Sequence, residues 1–241
     1  MKKLTLHLTF LCFFFQSGTA FAQSSQEHLS RGLAKHAAGD FNAAIANFNQ
    51  VIKINQEFSV AYFCRGRSYA ELKKHQEAID DYSKALELKP HYPNAFFRRG
   101  ISYHAIGKYK EAINDFNKVS TIEPNLKELY LKRGLSKYEM GKYREAIIDF
   151  NRELGKEDEP NTEIYYYRAL AQYAQLNFGG AIQDFDVVIE QKPHHRDAIY
   201  YRGLSYIRKG HLKEGCEDLE RAEEMGEERA AIHIKNRCNL P

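Results

Sequence analysis

Three strings recur along the chain at multiples of 34 residues: GDFNAAIANF at 39–48, GKYKEAINDF at 107–116 and GKYREAIIDF at 141–150. The related KHQEAIDDY (74–82), NFGGAIQDF (177–185) and GHLKEGCEDL (210–219) fill the gaps. Six units therefore begin at residues 25, 59, 93, 127, 162 and 196, with one extra residue in the fourth. A period of this size belongs to stacked supersecondary units, each of which buries its apolar face only against its neighbours. Within each unit apolar residues recur at helical spacing in two runs separated by a Gly-Lys-Tyr type turn, and Pro90, Pro124, Pro160 or Pro193 follows in four of them. Each unit is expected to be a helical hairpin.

Position 8 of the unit is small throughout (Gly32, Gly66, Gly100, Gly134, Ala169, Gly203), as is position 20 (Ala44, Ala78, Ala112, Ala146, Ala181, Gly215). Position 24 is Phe48, Tyr82, Phe116, Phe150, Phe185 and Leu219, and position 4 is aromatic in the four middle units (Tyr62, Phe96, Tyr130, Tyr165). Small residues let two helices approach closely, and the position-24 ring is expected to fill the gap to the next hairpin. In these residues the chain resembles the tetratricopeptide repeat family. The resemblance implies an all-α fold, a right-handed solenoid of six hairpins spanning 25–58, 59–92, 93–126, 127–161, 162–195 and 196–226. Residues 227–238, with Ala230, Ile232 and Ile234 among charged groups, are expected to add a capping helix, because the end of a stack needs a cover. The extra residue falls in GKEDEPN (155–161), and Glu153 stands where a small or branched residue is usual, which predicts looseness between the fourth and fifth units.

Residues 1–22 combine basic Lys2-Lys3, an apolar stretch from Leu4 to Phe15 and a small-x-small ending at Ala20-Phe21-Ala22. This is the pattern of a bacterial secretory signal peptide, with cleavage expected after Ala22 and a periplasmic or secreted mature protein. Lys+Arg 35 against Asp+Glu 32 falls to 33 against 32 once Lys2 and Lys3 are gone, so a nucleic-acid partner has no global charge behind it. No apolar run approaches the roughly 18 to 20 residues that span a bilayer, and no transmembrane segment is expected in the mature chain. Export permits disulfides. Cys216 and Cys238 lie eleven residues on either side of residue 227 in the last hairpin, which predicts that they stand level and form one, leaving Cys64 a packed free thiol.

No G-x-S-x-G, Walker-type loop, H-E-x-x-H or G-x-G-x-x-G string is present, and the histidines are scattered. No enzyme, no metal and no cofactor is expected. One polar pattern does repeat: Arg31, Arg65, Arg99, Arg133, Arg168 and Arg202 at position 7, with Asn47, Asp81, Asp115, Asp149, Asp184 and Asp218 at position 23. Both positions lie eight residues from the turn at position 15, and equal distance from a turn means equal height in antiparallel helices. Internal Arg-Asp pairs are therefore expected in place of a ligand-binding ladder.

The resemblance also implies a binding module in which first helices line a concave groove. The groove residues expected from it are Phe63, Arg67, Phe97, Ile101, His104, Leu135, Tyr138, Tyr166 and Tyr173, with a protein or peptide segment as partner. The Lys and Asn of the family's carboxylate clamp are absent from the inward positions. Mostly apolar inward positions and near-neutral charge predict salt-insensitive binding. The rival reading is a structural or assembly role in an envelope complex, using the convex face or the stack ends.

Overall fold

The computed structural model describes residues 23–155 and 161–238, whose regular structure is entirely helical. The chain divides into two compact halves, Met1–Pro124 and Asn125–Pro241. In the N-terminal half α1 (23–37) pairs with α2 (Phe41–Ile54), α3 (Ser59–Glu71) with α4 (His75–Leu88), and α5 (Pro93–Ala105) with α6 (Tyr109–Ile122). Helix α2 also packs on α3, α4 on α5, and the first helices α3 and α5 touch. The C-terminal half repeats this with α7 (Leu129–Glu139) and α8 (Tyr143–Leu154), α9 (Thr162–Ala174) and α10 (Phe178–Gln191), and α11 (Arg196–Lys209) and α12 (Leu212–Glu224). There α7, α9 and α11 touch in series.

Local chemistry sets the helix ends. Asp40 Oδ1 accepts from the Ala43 N–H and Asn177 Oδ1 from the Gly180 N–H, both at 3.2 Å, while Pro93 opens α5 where no N–H is needed. Position 15 turns the chain in the left-handed region, which Gly107 and Gly141 enter freely at φ 75° and 71°. Lys73 and Leu176 hold the same region at φ 61° and 60° with a side chain attached, a strained choice.

Second helices bury one stripe. Ala112, Phe116 and Val119 on α6 are fully buried at helical spacing, as are Ala44, Phe48 and Val51 on α2 and Ala181, Phe185 and Val188 on α10. Each ring so buried stabilises the fold by roughly 1.5–3 kcal/mol. A Cβ placed on Gly100 would come within 2.8 Å of the Phe116 ring. The position-24 ring therefore lies against position 8 of its own hairpin, and Phe48 additionally reaches the next one, clustering with Ala61 and Cys64.

The Arg-Asp pairs are present in all five units that carry both residues. Nε and Nη2 of Arg65, Arg99, Arg133, Arg168 and Arg202 donate to the two carboxylate oxygens of Asp81, Asp115, Asp149, Asp184 and Asp218 at 2.6–2.9 Å. The position-4 ring lies beside the guanidinium, as Tyr165 does under Arg168 at 5.2 Å. The third nitrogen reaches back one repeat to position 25: Arg65 Nη1 to Asn49, Arg99 to Ser83, Arg168 to Asn151 and Arg202 to Asp186. These four arginines thus each tie their hairpin to the preceding one. Burial lifts the Asp81 and Asp115 carboxyls above their usual range against the pull of their arginines, while Arg65 and Arg99, bonded to the same carboxylates, are raised as well. Arg31, facing Asn47, instead bonds Glu27 on its own helix.

Glu153 does something the sequence did not reveal. It is buried, and its carboxylate accepts from the backbone N–H of Glu128 (2.8 Å) and of Tyr130 (2.9 Å), tying α8 to the start of α7. Beside the expected loose junction, Ile164 is fully buried with Leu131, Ala146 and Phe150; the insertion itself, 156–160, lies outside the described residues. The leader, 1–22, does also. The expected capping helix is a short α13 (Arg229–His233) that widens into a π-helical turn (Ile234–Cys238). Ala230 is buried against α12, whereas Ile232 points outward at 60% exposure. Cys216 and Cys238 stand level, Cα atoms 5.7 Å apart, and are bridged; Cys64 is buried and unbridged.

Candidate functional site

The expected groove residues sit on first helices, two hairpins of each half supplying them (α3 and α5, α7 and α9), and the two halves arrange them differently. In the N-terminal half the position-5 rings are largely packing groups. Phe97 is only 9% exposed and meets Phe116 edge-on, while Phe63 lies against Tyr82 and, at 4.8 Å, Tyr92. Ile101 is half-buried, and His104 stands edge-on to Tyr109 at 5.2 Å.

Arg67 is engaged rather than idle. Its Nη2 donates to His36 Nε2 (3.2 Å), which leaves Nδ1–H to donate to Ser68 Oγ (2.9 Å), and Ser68 donates onward to the Cys64 carbonyl. Only a neutral imidazole closes this relay. Burial first, then the Arg67 charge, holds His36 below the usual histidine range and keeps it neutral. The Tyr82 hydroxyl, unique among the position-24 rings, is buried with no hydrogen-bond partner among the described residues.

The C-terminal half gathers tyrosines. Tyr138 on α7 meets Tyr143 and Tyr167 edge-on at 5.4 and 5.7 Å, Tyr167 meets Tyr166 at 5.3 Å, and Tyr173 meets Phe178 and Tyr201 at 5.5 Å each. All are half-buried, and Leu135, Tyr138 and Tyr167 pack against the same buried cluster of Leu131, Ala146, Phe150 and Ile164. Burial, more than neighbouring phenols and carboxylates, pushes the Tyr138 hydroxyl up to about 12 and raises Tyr166 and Tyr173. Tyr167 and Tyr201, at position 6, were not among the expected groove residues; the runs Tyr165-Tyr166-Tyr167 and Tyr200-Tyr201 are the signal that would have found them.

Position 34 covers position 5 in both halves: Tyr92 on Phe63, His195 on Tyr166 at 4.7 Å, and Arg229 on Tyr200, its guanidinium 4.6 Å from the ring centre. The rings present faces and edges for apolar and cationic side chains, with hydroxyls at their rims. Among the described residues no group of His, Cys, Asp and Glu is placed to hold a metal ion, and no helix is long and apolar enough to cross a membrane.

Comparison with known proteins agrees with this geometry. Sequence profiles described as tetratricopeptide repeat match residues 28–58 and 131–196, and one described as TPR repeat matches 66–107 and 102–141. No curated protein matches the chain. Among solved structures, YrrB, described as a TPR protein with an unusual peptide-binding site, is 25% identical over 78% of this chain and 97% of its own, with a TM-score of 0.71. PilF of Pseudomonas aeruginosa (14% identity, 90% and 99% covered, TM-score 0.70) and a tetratricopeptide repeat protein of Parabacteroides merdae (19%, 90% and 100%, 0.67) share the fold. Period, Arg-tied hairpins and matching profiles lead to one assignment: the chain is an all-α repeat solenoid of the tetratricopeptide repeat family.

Proposed function

We propose that this protein is an exported, non-catalytic scaffold that binds a protein or peptide segment on its first-helix faces. The observation that carries the reading is the row of half-buried tyrosines on α7, α9 and α11, which keeps ring surface open after packing is satisfied. Rings of this kind are the usual anchors of peptide recognition, since they bring large contact area with few rotamers to freeze. YrrB, with its peptide-binding site, lends support at the level of family. Export is supported by the three-zone leader and by the pairing of Cys216 with Cys238, which an oxidising compartment maintains.

The test is capture of partners from an envelope extract by the protein and by a Tyr138→Ala/Tyr173→Ala variant. Truncating aromatic anchors commonly costs about 2 kcal/mol or more each, so capture should fall many-fold while the melting curve stays native. Full capture by that variant, with loss on changing the second-helix face around Ile148, which is 60% exposed, would instead favour an envelope-assembly role. Intact mass of exported protein should begin at Gln23, and retention of Met1 to Ala22 would remove the export reading.

A further inference from the structure

The last repeat contains its own ligand-like contact. Arg229, from the cap, lays its guanidinium 4.6 Å from the centre of Tyr200 and 5.6 Å from that of Tyr201, and donates through Nη2 to Asp197 at 2.5 Å. These groups occupy positions 5, 6 and 2 of the sixth repeat, with the arginine at position 34. The fifth repeat carries the same rings and position-2 carboxylate one period earlier, Tyr166 at position 5, Tyr167 at position 6 and Glu163 at position 2, whereas Glu227, to which Arg229 also donates through Nε and Nη2 at 2.6 and 2.8 Å, is matched there by Pro193. Its position 34 is His195, and burial holds that ring below the usual histidine range, so it supplies no cation at neutral pH.

Two carboxylates are consequently left over. Glu163 is exposed, and Glu139 is exposed at the end of α7 beside Tyr138. Neither forms an ion pair among the described residues, and both act on the Tyr167 phenol, which burial first and then Glu163 and Glu139 push up. Tyr138 stands edge-on to Tyr167, so one ring pair lies within the field of two exposed carboxylates. The N-terminal half offers nothing similar, having Val60 and Asn94 at position 2 and Cys64 and Arg98 at position 6.

We infer that the segment bound on the C-terminal half presents an arginine side chain that stacks on Tyr167 and Tyr138 between Glu163 and Glu139, as Arg229 does on Tyr200 and Tyr201 beside Asp197. A planar, weakly hydrated guanidinium fits a ring and a carboxylate together better than the compact ammonium of lysine. The inference rests on the proposed peptide-binding role and adds the chemistry of the partner. It also revises the expectation of salt-insensitive binding, because an exposed ion pair is screened by salt.

Fluorescein-labelled Ala-Leu-Arg-Leu-Ala, and the same peptide with citrulline in place of arginine, would be titrated into the purified chain by fluorescence anisotropy. The arginine peptide should bind about ten-fold more tightly at low salt, with the ratio shrinking several-fold as ionic strength rises. Glu139→Gln/Glu163→Gln should bring the ratio to unity without changing citrulline-peptide binding or the melting curve. Tyr167→Leu should do the same. Equal binding of the two peptides, an unchanged ratio in the double variant, or no saturable binding of the arginine peptide at millimolar concentration would each overturn the inference. If citrulline peptide binds equally well and Tyr138→Ala/Tyr173→Ala still abolishes both, the groove reading survives alone. If the tyrosine variant changes neither peptide, the groove reading fails as well.

Discussion

The two halves share a hairpin, an Arg-Asp tie and a packing stripe, yet they solve their free surfaces with different chemistry. Residues 23–124 hold seven Phe and six Tyr, with 14 Lys+Arg against 11 Asp+Glu; residues 125–241 hold three Phe and ten Tyr, with 19 against 21. The N-terminal half puts rings into its interior and engages Arg67 with a neutral histidine. The C-terminal half leaves phenol rings half-open beside carboxylates, and covers its end with a bridged cap whose arginine occupies one such place. A uniform repeat thus fixes the frame, while substitutions at positions 2, 5, 6 and 34 decide which face can bind and what it prefers.

The ties can be compared directly. Asp149 accepts from Arg133 and also from Lys137 Nζ at 2.8 Å, so Asp149→Ala takes that carboxylate from two cations, leaving Lys137 with Glu145 at 3.7 Å, whereas Asp115→Ala takes it from Arg99 alone. The first should cost about 3–5 kcal/mol and the second less, read from denaturant midpoints. Arg99→Leu/Asp115→Ala should recover part of its loss; near-zero effects for all three variants would remove the ties as a source of stability.

The bridge belongs only to the C-terminal half. Cys216→Ser/Cys238→Ser should cost about 3 kcal/mol in the chain-entropy account, given a sequence separation of 22. Thiol counting on denatured, unreduced exported protein should find only Cys64, and three free thiols would mean no bridge forms.

Tyr82→Phe tests the N-terminal half in the stabilising direction. Deleting a buried hydroxyl that has no partner should raise stability by up to about 1 kcal/mol. A loss of that size would mean the hydroxyl has a partner after all.

The smallest effect expected is on pH. Folding lowers the pKa of His36, His75 and His195, chiefly by burial, so each contributes stability that is complete above the usual value of 6.5 and is lost as pH falls from there towards the lowered folded value. The melting temperature should decline modestly between pH 7.5 and 5.5. His36→Gln should remove its own share of that decline and leave the His75 and His195 shares intact.

Much of this was legible in the residues. Positions 7 and 23 lie equally far from the turn, and helical geometry alone makes them meet, which is why every expected Arg-Asp pair is found. Position 25 was not legible as the third partner, because that bond runs between hairpins and depends on how they nest. Glu153 read as a flaw in the pattern, since nothing in its own helix reveals that two backbone N–H groups at the start of α7 await it. Among the groove candidates, spacing could place Phe97 and Tyr138 on first helices but could not tell the nearly buried ring from the half-open one.

What the sequence by itself determined, then, is everything governed by separation along the chain: the period, the helical hairpins, the paired charges and the level cysteines. These follow from a fixed rise per residue and a fixed turn, and need no knowledge of neighbours. Tertiary structure alone decided which rings keep an open face, which arginine already has an aromatic seat and which carboxylates lack a cation. Exposure and charge pairing are settled by packing between successive repeats and by the fold-back of the cap, where residues 30 or more positions apart compete for the same few ångströms.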